Sequence, residues 1–440
     1  GLLFLGSADA NRYSMGASKI TLNGGIFRMF DINSTSNTGT FSNDIEVPAG
    51  KSARWDLPSR WNIASKLTGA GQIQVQIPYV RSDLNGDWSQ FTGKINFTGR
   101  DVRLNSATSR NMPLAEINLG DGTYLMAASN GSGELTSGQT FTFGALSGTG
   151  TISGRNFIIV GGNNASTTFS GVISDGAGRL TKRGTGTLTL TGANLHTGGT
   201  VVENGTLLVA NTTGSATGTG TVTVGNGGTL SGTGIIAGAT SIGAGAKLIP
   251  GAVSYGTLNF GSNLNLFSGS TTKFRIAANN NDKLNVTGNL TLKGTLELQE
   301  IGSVFAAGKS FTLFTAGSTS GTFDNIIPEI PGEGLQWNIS RLSEGIISID
   351  VANGIEDITG ANVRVWPVPV KDNCHVSIGT FSGDVKIELI NQVGIIILSE
   401  IVSHAQVNHI INMSDFQSGF YFVKISELNN KSFLRKIIKQ

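Results

Sequence analysis

The sequence predicts an all-β protein: a right-handed parallel β-helix, or solenoid, followed by a small immunoglobulin-like β-sandwich. Gly makes up 62 of the 440 residues, short apolar runs alternate with Thr between the glycines, and this composition gives way to an Ile-, Val- and Lys-rich tail. In residues 187–191 the side chains alternate between two faces, so Leu188 and Leu190 share one face. Strands this short must stack on similar neighbours to bury a core, and parallel strands in series need crossovers of one hand.

The composition limits the functions that the chain can have. Charged residues make up 14% of the chain and the formal net charge is +2, so no nucleic-acid partner is predicted. No apolar run approaches the roughly 20 residues of a membrane helix. The opening residues lack Met and a basic segment, so they resemble a solenoid strand more than a signal peptide. We therefore expect the chain to be a fragment or a mature form.

Residues 1–135 are predicted to be the irregular N-terminal part of the solenoid. Ile73, Val75 and Ile77 alternate with Gln and share one face of a strand. Four aromatic residues crowd a short window, where they either fill and cap a core or provide platforms for sugar rings. Both interpretations stay open for this set, which is Trp55, Trp61, Tyr79 and Trp88.

The segment 83–94 begins like a calcium-binding loop. Asp83, Asn85 and Asp87 have the oxygen ligands and the spacing of the first three positions of such a loop. Trp88 stands where the loop needs Gly, and Lys94 stands where a bidentate Glu should complete the ligand set. We therefore predict a polar turn between strands at this segment.

Residues 136–300 are predicted to be the Gly- and Thr-rich repeat region, with three short strands in each coil of about 22 residues. Its strand candidates are 141–143, 157–160, 188–190, 201–202, 207–209, 222–224, 258–260, 284–286 and 296–298. Residues 301–351 are predicted to form the terminal coils and a cap, because an open solenoid end would expose apolar core and unpaired backbone. Phe311, Leu313 and Phe314 fill its last layers in this prediction, Trp337 covers it, and residues 352–360 follow as a linker.

The repeat region resembles a known family. LTKRGTGTLTLTGAN followed by TGGTVVENGTLLV, residues 180–209 with a short gap, is similar to the autotransporter-associated β-strand repeat of large secreted bacterial surface proteins. The resemblance implies a secreted, passenger-type β-solenoid and says little about chemistry.

Residues 361–440 are predicted to be a second domain. Seven strand-like runs suit an immunoglobulin-like sandwich, at 363–365, 374–378, 385–389, 395–399, 409–411, 420–426 and 432–438. This tail resembles the type A C-terminal sorting domain of the Bacteroidetes type IX secretion system. The resemblance rests on VRVWPVPVKDNCHVSI, INQVGIIIL, FQSGFYFVKI and KSFLRKIIKQ, with signature residues Trp366, Pro367, Pro369, Gly394, Gly419, Tyr421, Arg435 and Lys436.

The tail departs from the family at two positions. Val368 stands between the prolines, where the family usually has Asn, and Trp366 replaces the usual Tyr. The resemblance implies passage through the periplasm and export by the type IX machinery to the outer-membrane surface or the medium. It also implies removal of the tail, with the cargo attached to surface lipopolysaccharide or released.

No catalytic, cofactor or metal residues are predicted. His196, His375, His404 and His409 lack ligand spacing, and the single cysteine, Cys374, lies on an apolar strand face, where a small buried side chain is expected. Asp175, Asp282 and Glu297 are isolated, and the acidic residues before position 130 recur at no interval that matches a coil. Solenoid enzymes that cut acidic polysaccharides need clustered carboxylates, or carboxylates with Arg and Lys on adjacent coils.

Two classes of function follow from these observations. The first is a secreted or cell-surface, non-catalytic stalk with an adhesin-like role, for which polysaccharide is a candidate partner. The second is the non-catalytic part of a secreted polysaccharide-degrading enzyme, similar to a pectate lyase, whose catalytic domain lies upstream.

Overall fold

A computed structural model describes residues 2–7, 18–31, 39–78, 82–127, 137–174, 176–251, 254–278, 280–352, 363–378, 384–403, 408–427 and 432–440. The chain divides into two compact units. The first consists of Gly1–Arg275, Asn279–Gln299 and Leu313–Ile326, and the second of Ile276–Ala278, Glu300–Thr312 and Ile327–Gln440. The described residues contain no α-helix, and a 3-10 turn spans Leu342–Glu344.

The strands, in chain order, are β1 (Leu2–Ser7), β2 (Ile20–Thr21), β3 (Ile26–Asp31), β4 (Gly39–Phe41), β5 (Ile45–Val47), β6 (Ser52–Asp56), β7 (Trp61–Ile63), β8 (Leu67–Gly69), β9 (Gln72–Ile77), β10 (Asp83–Leu84), β11 (Lys94–Gly99), β12 (Asp101–Leu104), β13 (Asn111–Leu119), β14 (Tyr124–Met126), β15 (Thr140–Gly148), β16 (Thr151–Ile152), β17 (Phe157–Val160), β18 (Thr167–Phe169), β19 (Val172–Ile173), β20 (Leu180–Lys182), β21 (Thr187–Leu190), β22 (Thr200–Val202), β23 (Gly205–Val209), β24 (Val222–Val224), β25 (Gly228–Gly232), β26 (Ile235–Ile236), β27 (Thr240–Ile242), β28 (Lys247–Pro250), β29 (Thr257–Phe260), β30 (Leu264–Leu266), β31 (Thr271–Ile276), β32 (Lys283–Leu292), β33 (Thr295–Glu300), β34 (Ser310–Thr312), β35 (Phe314–Gly321), β36 (Asn325–Ile327), β37 (Leu335–Asn338), β38 (Ile346–Val351), β39 (Arg364–Trp366), β40 (Asn373–Ser377), β41 (Val385–Asn391), β42 (Ile396–Val402), β43 (Asn408–Asn412), β44 (Gly419–Glu427) and β45 (Ser432–Lys439).

The first unit is a parallel β-solenoid, as predicted. Its ladders run β1-β3-β6-β9-β11-β13-β15, then β17-β20-β22-β24-β27-β30 and β18-β21-β23-β25-β28-β31, with β4-β7-β10-β12-β14-β16-β19 on another face. Lys94 pairs in register with Gln72 and with Glu116, a step of 22 residues each time. The step varies, because Thr140 pairs with Phe157 and Ile117 with Leu146. This variation hides the repeat in the first third of the sequence, although its strands also pair in parallel from coil to coil.

After β19, the ladder β4-β7-β10-β12-β14-β16-β19 has no further strand among the described residues, and the side chains of two buried asparagines continue its hydrogen bonding. The Asn194 side chain accepts a hydrogen bond from the Ile173 backbone N–H at 2.7 Å and donates one to the Ala216 carbonyl at 2.5 Å. Ala216 N–H then donates to the Ile235 carbonyl, and Ile235 N–H donates to the Asn211 side chain at 2.8 Å. The amides therefore replace missing backbone partners and keep buried polar groups paired.

The second unit contains an antiparallel three-stranded sheet and a β-sandwich. The first sheet has the order β34-β38-β37. In it, Trp337 packs edge-on against Phe305 at 5.0 Å between ring centroids and donates to the Pro328 carbonyl. Of the predicted core residues, Phe311 is buried in this unit, whereas Leu313 and Phe314 are buried in the first unit.

The sandwich packs the sheet β39-β40-β43 against the sheet β42-β41-β44-β45, and all strand pairs within the two sheets are antiparallel. One apolar cluster fills the space between the sheets and includes Val376, Ile387 and Val423. The seven predicted runs all form strands, so the predicted immunoglobulin-like sandwich is confirmed.

Candidate functional site

The three tryptophans of the N-terminal region are core residues. Trp55, Trp61 and Trp88 are 0%, 1% and 0% exposed, and their indole nitrogens donate to Met29 Sδ, the Met29 carbonyl and the Ser65 carbonyl. A sugar needs an open ring face, so the glycan-contact interpretation of these residues is wrong. Tyr79, the fourth member of the set, lies outside the described residues.

The segment that begins like a calcium loop is built into the solenoid. Asp83 is buried in strand β10, so the predicted polar turn begins only after Leu84. Asp87 accepts a hydrogen bond from the Ser89 backbone N–H, which lowers the pKa of this carboxyl. Among the described residues, no group of three or more His, Cys, Asp and Glu side chains could hold a metal ion.

Acidic and basic side chains on successive coils pair with one another. The closest N–O distances are 2.7 Å for Lys94–Glu116 and for Lys273–Glu297, and 2.6 Å for Arg183–Glu203. Glu297 is therefore not isolated, because Lys273 of the neighbouring coil binds it. Opposite charges about one coil apart were the signal in the sequence.

Asp282 is also paired, within a loop between two strands. Its buried carboxylate accepts hydrogen bonds from Arg275 Nε at 2.7 Å and Nη2 at 2.9 Å. Arg275 Nη2 also donates to the Ser254 carbonyl, so the pair fastens two loops of the solenoid. Asp175 lies outside the described residues.

The histidines occupy structural positions. His196 is fully buried, its Nε2 lies 3.1 Å from Thr200 Oγ1, and burial lowers its pKa to about 4. His375 stacks on the Trp366 ring at 5.7 Å, and His409 Nε2 lies 2.8 Å from Glu400. His404 lies outside the described residues.

Cys374 is a buried core residue, as expected. It is 0% exposed, and burial raises the pKa of its thiol to about 12. A reactive cysteine needs an accessible thiolate at neutral pH, and this thiol stays protonated there.

Sequence reasoning missed a buried lysine at a corner of the repeat. Lys182 is 1% exposed, and its Nζ donates to the carbonyls of Arg183, Gly184 and Asn204 at 2.7, 2.9 and 3.2 Å. Burial lowers its pKa to about 8, so the amine remains protonated at neutral pH. Gly205 must be glycine beside it, because a Cβ there would lie 2.9 Å from the Lys182 nitrogen and 2.3 Å from the Gly184 oxygen.

The opening and closing signature segments of the tail meet in the sandwich. Trp366 is buried at the end of β39, and cis peptide bonds precede Pro367 and Pro369. Immediately after them, Val370 N–H donates to the Ile438 carbonyl at 2.7 Å, and Gln440 N–H donates to the Val370 carbonyl at 2.9 Å. The two ends of the tail thus form one hydrogen-bonded element.

The central signature residues shape turns. Gly394 has a φ of 90° in the turn between β41 and β42, where the Asn391 side chain accepts hydrogen bonds from Val393 N–H and Ile395 N–H. Gly419 begins β44, and the Tyr421 hydroxyl donates to the Gln417 carbonyl at 2.8 Å.

The closing strand places its basic side chains on opposite faces. Arg435 is half-buried, and burial lowers its pKa. Lys436 points to the other side, where its Nζ lies 3.8 Å from the centroid of the Phe420 ring. Whether these residues are recognised during export stays a prediction.

Comparisons with known proteins match these two regions. Residues 364–440 match the family described as Secretion system C-terminal sorting domain, and residues 180–209 match the Passenger-associated-transport-repeat. The C-terminal residues form a type IX sorting domain. This domain indicates export by the type IX machinery, and the protein is secreted or lies at the cell surface.

Two curated proteins are similar to parts of the chain. The adhesin BmaC autotransporter of Brucella suis biovar 1 (strain 1330) is 35% identical over 153 residues, which are 33% of this chain and 4% of that protein. The ulvan lyase NLR42 of Nonlabens ulvanivorans is 25% identical over 103 residues, 23% of this chain and 17% of the lyase. The chain therefore spans a small part of either relative.

The matched repeat corresponds to β20–β23, in which β20 pairs with β22 and β21 pairs with β23. Leu180 pairs with Thr200, and Leu188 pairs with Leu207. Where the structure describes the chain, no helix has the length and apolar character needed to cross a membrane.

Proposed function

We propose that the protein is a non-catalytic, β-helical stalk with an adhesin-like role, delivered to the cell surface or the medium through its sorting domain. The observation that carries this proposal is the combination of passenger-type repeats, stacked as a solenoid, with a C-terminal sandwich that matches the sorting family. The similarity of a third of the chain to an adhesin supports the adhesive role.

Polar ladders on the outside of the solenoid support a role as a stalk. Asn285 Nδ2 donates to Asn259 Oδ1 at 3.3 Å, and Thr315 Oγ1 donates to Asn285 Oδ1 at 2.9 Å, so one ladder crosses three coils. Side chains that pair across coils in this way stabilise a polar, solvent-facing strip of the solenoid.

The proposed partners are the type IX machinery, surface lipopolysaccharide as the anchor of the processed chain, and polysaccharide as a ligand. A reporter fusion tests the export step. A periplasmic fluorescent protein followed by residues 352–440 should reach the surface or the medium of a host that carries the type IX system. The same fusion without residues 432–440 should stay in the periplasm, and equal display of the two would contradict the proposal.

The absence of catalysis is part of the proposal. Its support is the similarity of parts of the chain to passenger-type repeats and to an adhesin. Purified protein incubated with pectins, glucans and ulvan should release no reducing ends or unsaturated products. Turnover that a single Asp→Asn or Glu→Gln substitution abolishes would overturn this part.

A second candidate function is the non-catalytic portion of a secreted polysaccharide-degrading enzyme. The similarity to the ulvan lyase favours it. The gene sequence upstream of residue 1 discriminates between the two candidate functions. A catalytic domain encoded there supports the enzyme portion, and further repeats support the stalk.

A further inference from the structure

Exposed apolar side chains concentrate in the sorting domain. Among the described residues, 16 large apolar side chains are exposed, and eight of them lie from Val393 onward. Single exposed apolar residues are ordinary on a protein surface, whereas a contiguous group marks an interaction site.

Strand register places most of this group on one surface. Phe420 pairs with Ile438, and Ile390 pairs with both Phe422 and Ile396. Paired side chains of an antiparallel sheet lie on the same side. The opposite side of these strands faces the core, since the alternating residues Val423, Ile425 and Ile437 belong to it. Ile401 lies on the solvent side as well, because it pairs with Lys386. We call the solvent side of β42-β41-β44-β45 the outer face; its apolar residues are Ile390, Ile396, Ile401, Phe420, Phe422, Leu434 and Ile438.

Lysines lie within the outer face. Lys386 and Lys424 lie 2.6 and 3.5 Å from Glu388, and the hydrogen bond from Lys386 lowers the pKa of that carboxyl. Lys436 stands between Leu434 and Ile438 along β45 and covers the Phe420 ring. Three lysines thus share the face with a single described carboxylate, which two of them already bind.

We infer that the outer face docks a partner protein of the export machinery, one that presents an apolar groove with carboxylates positioned for these lysines. The inference rests on the proposed export function. A hydrocarbon layer does not fit, because Lys436 stands in the middle of the face and would be taken out of water. A second copy does not fit either, because a two-fold contact would put two copies of this lysine-bearing face into one interface.

Surface display of the full chain in a type IX host tests the inference. The triple variant Ile396→Ser, Phe420→Ser, Leu434→Ser removes the apolar surface. Val393→Ser with Ile410→Ser is the matched control, since both residues are more than half exposed and lie on a turn and on the other sheet. We expect the triple variant to lose about tenfold or more of its display, the result of about 1.4 kcal/mol of lost binding, and the control to match the wild type.

A charge variant keeps the test valid if the triple variant melts at a lower temperature. Lys436→Glu leaves the strand packing in place and reverses the charge, so it should lower display, while Lys436→Arg should retain it. Normal display of Lys436→Glu and of a folded triple variant would overturn the docking inference. If the chain lacking residues 361–440 then fails to be displayed, the export assignment still stands; if it is displayed, both fall.

Two measurements on the purified full chain test whether a membrane or a second copy of the chain binds the outer face instead. It should not sediment with vesicles of phosphatidylethanolamine and phosphatidylglycerol, and it should remain monomeric in analytical ultracentrifugation. Vesicle binding or self-association that the triple variant abolishes would contradict a protein partner.

Discussion

The solenoid and the sorting domain differ in which side chains they bury and which they expose. Of the 27 polar or charged residues described as buried, 25 lie at or before Asp282, and only Glu388 and Lys439 lie in the tail. Exposed large apolar residues show the reverse distribution, with half of them in the tail. Parallel coils turn many times, and the solenoid buries polar side chains such as Asn194 and Lys182, whose hydrogen bonds join one coil to the next. The sandwich instead exposes the apolar residues of its outer face. Such a surface is suited to recognition by a partner in the export machinery.

The largest expected effect concerns the dry interior of the solenoid. Leu188→Asp should destabilise the protein by about 4 kcal/mol or more, because it puts an unpaired charge into the buried stack next to Leu207. Thr189→Asp, one residue along on the outward face, is the control and should cost far less. Urea unfolding measures both variants; equal effects would mean that the strand alternation is not what stabilises the coil.

The buried histidine should make the solenoid acid-sensitive. The folded-state pKa of His196 is about 4 and its unfolded value is about 6.5, so between these pH values the unfolded chain binds an additional proton. Stability should therefore fall by about 3 kcal/mol as the pH drops from 6.5 to 4. His196→Gln cannot be protonated and should remove this part of the pH dependence. Parallel unfolding curves for the wild type and the variant would contradict the assignment.

The buried Lys182 should contribute more to the stability of the solenoid than its exposed neighbour Arg183. Lys182→Met leaves three carbonyls without their donor and should cost about 1–3 kcal/mol. Arg183→Met breaks an exposed pair with Glu203 and should cost less than about 1 kcal/mol. Thermal unfolding of the two variants compares them, and a larger loss for Arg183→Met would show that the corner does not depend on the amine.

The smallest effect is expected for the ion pairs between coils. A double-mutant cycle on Lys273→Met and Glu297→Gln should give a coupling energy below about 1 kcal/mol, because both side chains are partly exposed. A much larger coupling would mean that charge pairs, in addition to apolar stacking, hold the solenoid together.

The sequence predicted local features well because strand alternation is local. Leu188 and Leu190 point inward, and the seven strands of the tail appear where the apolar runs lie. Contacts between coils depend on the length of each coil, which varies along the chain. The burial of Trp61 could therefore not be read from neighbouring residues, whereas the pair Lys94–Glu116 was visible because its separation equals one predicted coil. The role of Asn194 was equally hidden, because nothing local shows that a strand is missing beside it.

Removing residues 361–440 tests the central claim most directly, since it asks whether the solenoid and the sorting domain have separate roles. The solenoid is one compact unit and the tail belongs to the other, and separate compact units fold on their own. The truncated chain should therefore melt at the temperature of the solenoid transition in the full protein, and it should accumulate in the periplasm of a type IX host. A clearly lower melting temperature, or normal surface display of the truncated chain, would contradict the account.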